Sequence, residues 1–182
     1  AVGRAHAGLA GPTANRFGKV SPTTAAHVGA ELGDAVDLVL DGGPCPVGVE
    51  STIVDCTVAP PQVLRPGGIA REEVERLLQG DLADASGPSR ASGMLASHYA
   101  PACRVLLAHD RREARQLAAA EHDAVVIGID TDEVTYAQRL YDWLRDADAN
   151  GRSAVVAILP PPAGRGHAIR DRLFKAAADR AG

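Results

Sequence analysis

The sequence predicts an α/β protein built from two small units joined by a linker. With 182 residues, the chain can form one good core or two small ones, since domains commonly hold about 100–150 residues. From residue 104 onward, short apolar runs alternate with segments of helical periodicity, which is typical of a small parallel sheet. Residues 81–97 are rich in Gly, Ser, Ala and Asp and lack a periodic apolar face, as connectors do. We therefore assign residues 1–80 to the first unit, 81–102 to the linker and 103–182 to the second unit.

The first unit is predicted to contain two helices and three short strands. Ser21-Pro22-Thr23 favours a helix start, because Ser caps free N–H groups and Pro is tolerated in a first helical turn. The helix is expected to close at Gly33. Val36–Leu40, followed by Asp41-Gly42-Gly43, is predicted to be a buried strand that enters a tight turn. The later elements are strands over Val49–Asp55 and Gln62–Leu64 and a helix over Arg71–Leu78.

The second unit is predicted to consist of three strand–helix pairs. The strands are Arg104–Leu107, Ala124–Ile129 and Ala154–Leu159, and the helices are Arg111–Ala120, Val134–Ala147 and Ala168–Ala178. This alternation predicts a parallel sheet with right-handed crossovers. Gly164-Arg165-Gly166 is not a dinucleotide fingerprint, because the third small residue and a preceding strand in register are missing.

The composition excludes several classes of function. The chain carries 19 Lys and Arg against 23 Asp and Glu, for a net charge of -4, so no global basic field is available to hold nucleic acid. Three scattered cysteines, Cys45, Cys56 and Cys103, form no disulfide framework, which favours a reducing cytoplasm. The apolar runs are far shorter than the ~20 residues of a membrane span, so a soluble protein without membrane contact is expected. The Gly/Ala-rich stretch that begins at Ala1 indicates a start in mid-domain.

The densest polar segment runs from Gly11 to Thr23. It combines hydroxyls, an amide, two cations and a predicted helix N-terminus, whose free N–H groups favour a phosphate or carboxylate. A P-loop is excluded, because six residues separate Gly11 from Gly18 and Val20 stands where a metal-binding hydroxyl is needed. From composition alone, a Gly/Pro-rich loop capped onto a helix explains the segment equally well.

Two later segments add polar groups at strand ends. Glu50-Ser51-Thr52 places a carboxylate and two hydroxyls at a predicted strand start, where they could meet a small zwitterionic substrate. Arg65 lies just before the turn Pro66-Gly67-Gly68 and suits bidentate phosphate binding. Taken singly, a hairpin with polar edges explains the first segment, and a surface ion pair explains Arg65.

Four segments occur together in a specific order and spacing. They are T-A-N-R-F-G-K-V-S-P-T-T-A, D-G-G-x-x-x-V-G-V-E-S-T-I-V-D, L-R-P-G-G-I and G-M-L-A-S-H-Y-A-P. In this combination the chain resembles the YrdC-like threonylcarbamoyl-adenylate synthases, in the long form with a C-terminal accessory domain. The resemblance continues through L-Y-D-W-L-R-D-A-D at 140–148 and P-P-P-A-G-R-G-H-A-I-R-D-R-L at 160–173. It implies the C-terminal part of a YrdC-like α/β domain, a linker and a small Rossmann-like parallel-sheet domain.

The resemblance implies an L-threonylcarbamoyladenylate synthase. Such enzymes convert L-threonine, bicarbonate and ATP to threonylcarbamoyl-AMP and pyrophosphate, the first step of threonylcarbamoyladenosine formation in certain tRNAs. No covalent enzyme intermediate is needed, so the protein positions the reactants and stabilises charge. ATP is then a substrate accompanied by Mg²⁺, and neither a tightly bound cofactor nor a protein-held metal is expected. The product would pass to the tRNA threonylcarbamoyl-transfer machinery, with at most weak contact to tRNA itself.

The resemblance also assigns binding residues, although no catalytic residue. Those for L-threonine are Thr13, which replaces the family's usual Ser, and Ser51. Those for ATP are Asn15, Thr23, Arg65 and Tyr99. Tyr99 belongs to the linker segment His98-Tyr99-Ala100-Pro101, which folds back over the site in long-form members. A simple aromatic anchor for the linker is the alternative role for Tyr99.

The chain departs from the family's pattern in one respect. The family's upstream Thr-containing strand motif and K-x-R pair are not found, which leaves Arg16, Lys19 and Arg65 to face the ~4 negative charges of ATP. We therefore expect little or no synthase activity from this chain alone.

The alternative function is a YrdC-like RNA-binding module without catalysis, against which the acidic balance argues. A related carbamoyl-transfer enzyme would need zinc-finger and acylphosphatase regions. A zinc site built from the three cysteines and His98 matches no standard spacing.

Overall fold

The computed structural model describes residues 13–94 and 99–178 and contains two three-stranded sheets. In the first sheet, β1 (Ile53–Asp55) pairs antiparallel with β2 (Gln62–Arg65), and β2 pairs in parallel with β3 (Ala83–Asp84). Helix α1 (Ala25–Leu32) precedes β1 in the chain, and helix α2 (Arg71–Leu78) lies between β2 and β3. From residue 13 onward, the first unit is therefore a small mixed sheet with two short α-helices.

The second sheet is parallel, as the alternating pattern predicts. Its strands run in the order β4, β6, β5. The elements of this unit are β4 (Arg104–Ala108), α3 (Arg111–Ala119), β5 (Ala124–Ile127), α4 (Glu133–Ala149), β6 (Ala154–Ile158) and α5 (Gly166–Ala177). The central strand β6 is apolar throughout because it has a neighbour on each side and its first four residues are buried. The predicted α/β fold with a parallel second sheet is confirmed.

Helix α4 has a side-chain N-cap, and one of its faces packs in the core. The Asp132 carboxylate accepts hydrogen bonds from the amides of Val134 and Thr135, which satisfies two of the free N–H groups of the first turn. Leu140 and Leu144 lie one turn apart and are completely buried. This helical spacing places one face of α4 in the core.

One of two apolar clusters contains side chains of both units. It includes Val20 and Val49 from the first unit and Tyr99 from the linker, together with side chains of α4, β6 and α5. Gly48 shows how close the approach is, because a Cβ at this position would overlap the backbone of Ala137 and Gln138 in α4. The loop around Gly48 therefore packs directly on α4.

Three elements of the first unit differ from the sequence prediction. Val36–Leu40 is not a strand, because no strand in the described ranges 13–94 and 99–178 pairs with it. Its last residue, Leu40, is 84% exposed. Strand β1 is shorter than the predicted Val49–Asp55, since residues 48–50 instead contact the second unit. Helix α1 begins after Thr24, whose side chain caps the amide of His27, and ends at Gly33 as predicted.

Two further features concern the described residues only. None of the helices in these parts of the chain is long and apolar enough to cross a membrane. The same residues contain no group of three His, Cys, Asp or Glu side chains arranged to hold a metal. The linker prediction 81–102 includes β3, and the domain boundaries themselves stay predictions. Gly11, Pro12 and His98 lie outside the described residues.

Candidate active site

A largely buried carboxylate, Glu50, lies where the first unit meets α4 and α5. It accepts hydrogen bonds from Ser21 Oγ (2.6 Å), from Tyr141 Oη (2.9 and 3.0 Å) and from Arg172 Nε (2.9 Å). Sequence analysis left this carboxylate open to a substrate, and the structure corrects that expectation. The Glu50 carboxylate is hydrogen-bonded to the second unit and thereby anchors the segment that carries Ser51.

The charges at this junction stabilise one another. Burial raises the pKa of the Glu50 carboxyl, but the Arg172 charge and the bonds from Ser21 and Arg172 outweigh it, so the pKa lies below its ordinary value. Burial raises the pKa of Tyr141, and the neighbouring Glu50 charge adds to that rise. Burial alone would lower the pKa of Arg172, yet the surrounding groups hold it above its ordinary value. Glu50 and Arg172 therefore form a charged pair at neutral pH, with Tyr141 as a neutral donor.

The predicted L-threonine contact Ser51 and the predicted ATP contact Arg65 lie together. Arg65 is 7% exposed and ends β2. Its Nε and Nη2 donate to the carbonyl oxygen of Ser51 at 3.1 and 3.0 Å, and Nη2 also donates to Ser51 Oγ at 3.2 Å. Nη1 donates to the carbonyl oxygen of Ser92 at 3.3 Å. Among the described residues, every hydrogen bond from the Arg65 guanidinium therefore ends on a neutral oxygen.

The predicted ATP contact Tyr99 is buried beside the same arginine. Its ring stacks on Tyr141 with the centroids 5.7 Å apart, and the guanidinium carbon of Arg172 lies 5.1 Å from its centroid. A Cβ on Gly93 would lie 2.6 Å from Tyr99 Oη and 2.9 Å from Arg65 Cδ, so the hydroxyl end of the tyrosine is close to Arg65. Burial raises the pKa of Tyr99. In this structure Tyr99 is thus an anchor of the linker that also borders the proposed nucleotide site.

Two of the remaining predicted residues, Thr13 and Thr23, lie in a cleft beside Glu50. Thr13 and Thr23 line one cleft of about 160 Å³ together with Glu50 and Tyr141. Thr13 is exposed, whereas Thr23 is buried and donates its hydroxyl hydrogen to the Asp142 carboxylate of α4. The predicted L-threonine contact Thr13 is therefore accessible, and the hydroxyl of Thr23 already has a partner in the second unit.

Asn15 has a structural role in its own loop. Its side-chain amide donates to the carbonyl oxygens of Arg16 (3.0 Å) and Lys19 (3.2 Å). Through Gly18, whose carbonyl accepts from the amide of Ala100 at 3.2 Å, the loop contacts the residue that follows Tyr99. These bonds do not reach Ser51 or Arg65. The structure thus brings Ser51, Arg65 and Tyr99 together, while Asn15 is connected to them only through the linker.

Arg172 and Tyr141 are the residues of this junction that sequence analysis missed. Arg172 lies between Ile169 and Ala176 on the apolar side of α5 and is completely buried. An arginine on an otherwise apolar helix face is a signal that a carboxylate lies opposite. The sequence could have given this signal, but it does not reveal that the partner is Glu50, more than a hundred residues away.

The fold and the junction define a two-sheet α/β protein with a buried, arginine-containing polar site. Residues 69–178 match the family model described as "Threonylcarbamoyl-AMP synthase, C-terminal domain", and residues 2–67 match the model described as "Telomere recombination". The chain belongs to the threonylcarbamoyl-AMP synthase family. The family resemblance drawn from the sequence motifs is confirmed.

Curated relatives and solved structures agree with this assignment. The chain is 33% identical to threonylcarbamoyl-AMP synthase of Pyrococcus abyssi and 34% identical to that of Bacillus subtilis, in each case over 94% of this chain and 58% of the relative. It superimposes on the crystal structure of P. abyssi Sua5 complexed with L-threonine with a TM-score of 0.83 and 31% identity, over 91% of this chain and 56% of that one. A variant of the same protein, with an adjacent histidine and tyrosine both replaced by alanine, gives 0.82 and 30% over the same shares. The chain thus spans somewhat more than half the length of these relatives.

Proposed function

We propose that this chain forms the L-threonine and adenylate contacts of a threonylcarbamoyl-AMP synthase. The observation that carries the proposal is Arg65, a buried guanidinium whose described hydrogen bonds all end on neutral oxygens. A buried cation is costly unless an opposite charge compensates it. A phosphate of ATP would supply that charge, because Arg is suited to bidentate phosphate binding. The names of the relatives support the synthase interpretation and lend no support to the RNA-binding alternative.

In the proposed reaction, the chain positions the reactants and forms no covalent bond to them. The amine of L-threonine attacks carbon dioxide and loses a proton, or condenses with bicarbonate and releases water. An oxygen of the resulting carbamate attacks the α-phosphate of ATP. The bond from the α-phosphorus to the bridging oxygen breaks, and pyrophosphate leaves. Thr13 and Ser51 would bind the L-threonine, while Arg65 would stabilise the charge that develops on the phosphate. Mg²⁺ would enter with the ATP.

Tyr99 is proposed to contact the nucleotide from the linker. The position of its hydroxyl end near Arg65 supports this role. His98-Tyr99 is also the only His-Tyr pair in the sequence, and one solved relative is a variant in which such a pair is replaced by alanine. Asn15 and Thr23 are proposed as further ATP contacts. Transfer of the product to tRNA and a cytoplasmic location stay predictions.

Ligand binding by the chain tests the proposal. Isothermal titration calorimetry is expected to detect binding of both ATP and L-threonine. Arg65→Ala should weaken ATP binding by at least about tenfold, since hydrogen bonds to charged groups contribute about 1.5–3 kcal/mol. Ser51→Ala should weaken L-threonine binding more than ATP binding, and Arg76→Ala, an exposed arginine of α2, should change neither. Absence of binding for both ligands would refute the proposal.

A second assay addresses turnover by these 182 residues. Pyrophosphate release is measured with ATP, L-threonine and bicarbonate together, and again with each of the last two omitted. Little or no release is expected from the chain alone. A rate that requires both L-threonine and bicarbonate would contradict this expectation while supporting the proposed reaction.

A further inference from the structure

We propose that Arg172 is a positioning residue for the substrate site, through which the second unit holds the segments carrying Ser51 and Arg65 in place. The inference rests on the proposed function, because it concerns the residues assigned there to L-threonine and ATP. Arg172 does not itself touch a substrate in this proposal. It acts through the backbone on either side of the residues that do.

One guanidinium joins two segments of the first unit. Arg172 Nε donates to the carboxylate of Glu50 at 2.9 Å, and Glu50 immediately precedes Ser51. Arg172 Nη1 donates to the carbonyl oxygen of Pro66 at 2.8 Å, and Pro66 immediately follows Arg65. Since both contacts start from one rigid planar group, they fix the distance between the two segments.

The two segments are also in direct backbone contact, so a shift of one moves the other. The amide of Gly68 donates to the carbonyl oxygen of Glu50 at 3.0 Å. A Cβ on Gly67 would overlap the backbone of Ser51 and Thr52. Loss of the Arg172 contacts would therefore disturb Ser51 and Arg65 together.

Stability alone does not explain the burial of this arginine. Its side chain is 0% exposed, and Nη2 has no hydrogen-bond partner among the described residues. Its guanidinium carbon lies 5.1 Å from the ring centroid of Tyr99, a third residue assigned to the site. A buried ion pair is often no more stabilising than apolar side chains of similar size. An arginine at this position is thus better accounted for by the fixed geometry that it imposes.

Other contacts hold the two units together without Arg172. Arg145 of α4 pairs with Glu31 at 2.6 Å, and Gln138 donates to the carbonyl oxygen of Pro46 at 2.8 Å. Neither contact involves Ser51, Arg65 or the residues directly adjacent to them. Removal of Arg172 should therefore loosen the site and leave the units associated.

Amide hydrogen exchange by NMR tests this directly, with the Gly68 amide as the probe. Arg172→Met keeps an unbranched side chain but removes the charge, and Arg172→Lys restores the charge without the fork. The matched control is Arg170→Met on the same helix, because Arg170 contacts Pro160 and the ring of Phe174, both in the second unit. Arg172→Met should speed exchange at Gly68 by at least about tenfold, Arg172→Lys less, and Arg170→Met not at all. Amides of β6 should be unchanged.

The outcomes separate this inference from the proposed function. Unchanged exchange at Gly68 in Arg172→Met, or equal acceleration at Gly68 and in β6, would overturn the positioning role. L-threonine affinity, measured by calorimetry, should fall in Arg172→Met, recover partly in Arg172→Lys and stay unchanged in Arg170→Met. If the wild type binds no L-threonine although Gly68 responds as expected, the proposed function fails and the coupling of Arg172 to these segments is supported.

Discussion

Replacement of Gly48 by alanine tests the contact between the first unit and α4. Gly48 has a φ of +81°, and a Cβ there would overlap the backbone of Ala137 and Gln138. Gly43 is a matched control, since its φ is +84° and nothing lies within 4 Å of its Cβ position. Both substitutions carry the cost of a left-handed backbone, about 1–2 kcal/mol. Gly48→Ala alone adds a steric overlap with backbone atoms, which cannot turn aside as a side chain does.

The difference between the two variants gives the size of the effect. Overpacking of a close contact costs about 1–3 kcal/mol, so Gly48→Ala should be less stable than Gly43→Ala by that amount. With a urea m value of about 2 kcal/mol/M, the unfolding midpoint of Gly48→Ala should lie about 0.5–1.5 M below that of Gly43→Ala. The assay is urea unfolding followed by circular dichroism. Equal midpoints for the two variants would refute the direct packing of this loop on α4.

Two further predictions concern Glu50 and Asp148. The folded-state pKa of Glu50 lies below its ordinary value of 4.5, so its contribution to stability is complete above that value and is lost as the pH falls through the folded pKa. Glu50→Gln should therefore lower the free energy of unfolding by about 3–5 kcal/mol at pH 6. The difference in urea midpoint between this variant and the wild type should shrink towards pH 3. A difference that stays constant with pH would contradict the charged pair. Asp148 accepts the amides of Ala102 (2.7 Å) and Cys103 (3.0 Å), so Asp148→Ala should cost about 1–3 kcal/mol and speed exchange at both amides, whereas Asp146→Ala on the same helix should do neither.

Sequence patterns predicted the second unit closely because its signals are local. Each predicted helix and strand after residue 104 agrees with an observed element to within a few residues, since one periodic stretch determines each element. Val36–Leu40 was predicted wrongly for the opposite reason. An apolar run becomes a strand only when a neighbouring strand satisfies its backbone groups, and the run itself carries no information about that neighbour.

In the candidate site, too, the residues in local motifs were predicted, whereas the partners that depend on long-range packing were not. Ser51 and Arg65 belong to motifs that the sequence displays, and the structure places them in contact. Glu50 belongs to the same motif, but its partners Tyr141 and Arg172 come from helices far along the chain. A motif identifies residue types and spacing, whereas the pairing of a buried charge depends on how distant elements pack. Sequence alone therefore suggested a substrate role for Glu50 where the structure shows an anchor.

The two buried arginines of the junction differ in how their charge is balanced, and this difference separates their roles. Arg172 is compensated by the carboxylates of Glu50 and Asp171, at 2.9 and 2.6 Å. Arg65 is almost as buried, yet its hydrogen bonds in the described part of the chain end on the neutral oxygens of Ser51 and Ser92. A charge that is already neutralised within the protein serves to fix geometry, whereas one held by neutral oxygens retains most of its attraction for an anion. This difference supports both proposals: that Arg172, which donates to the carbonyl oxygen of Pro66, is a positioning residue, and that Arg65 is available to a phosphate.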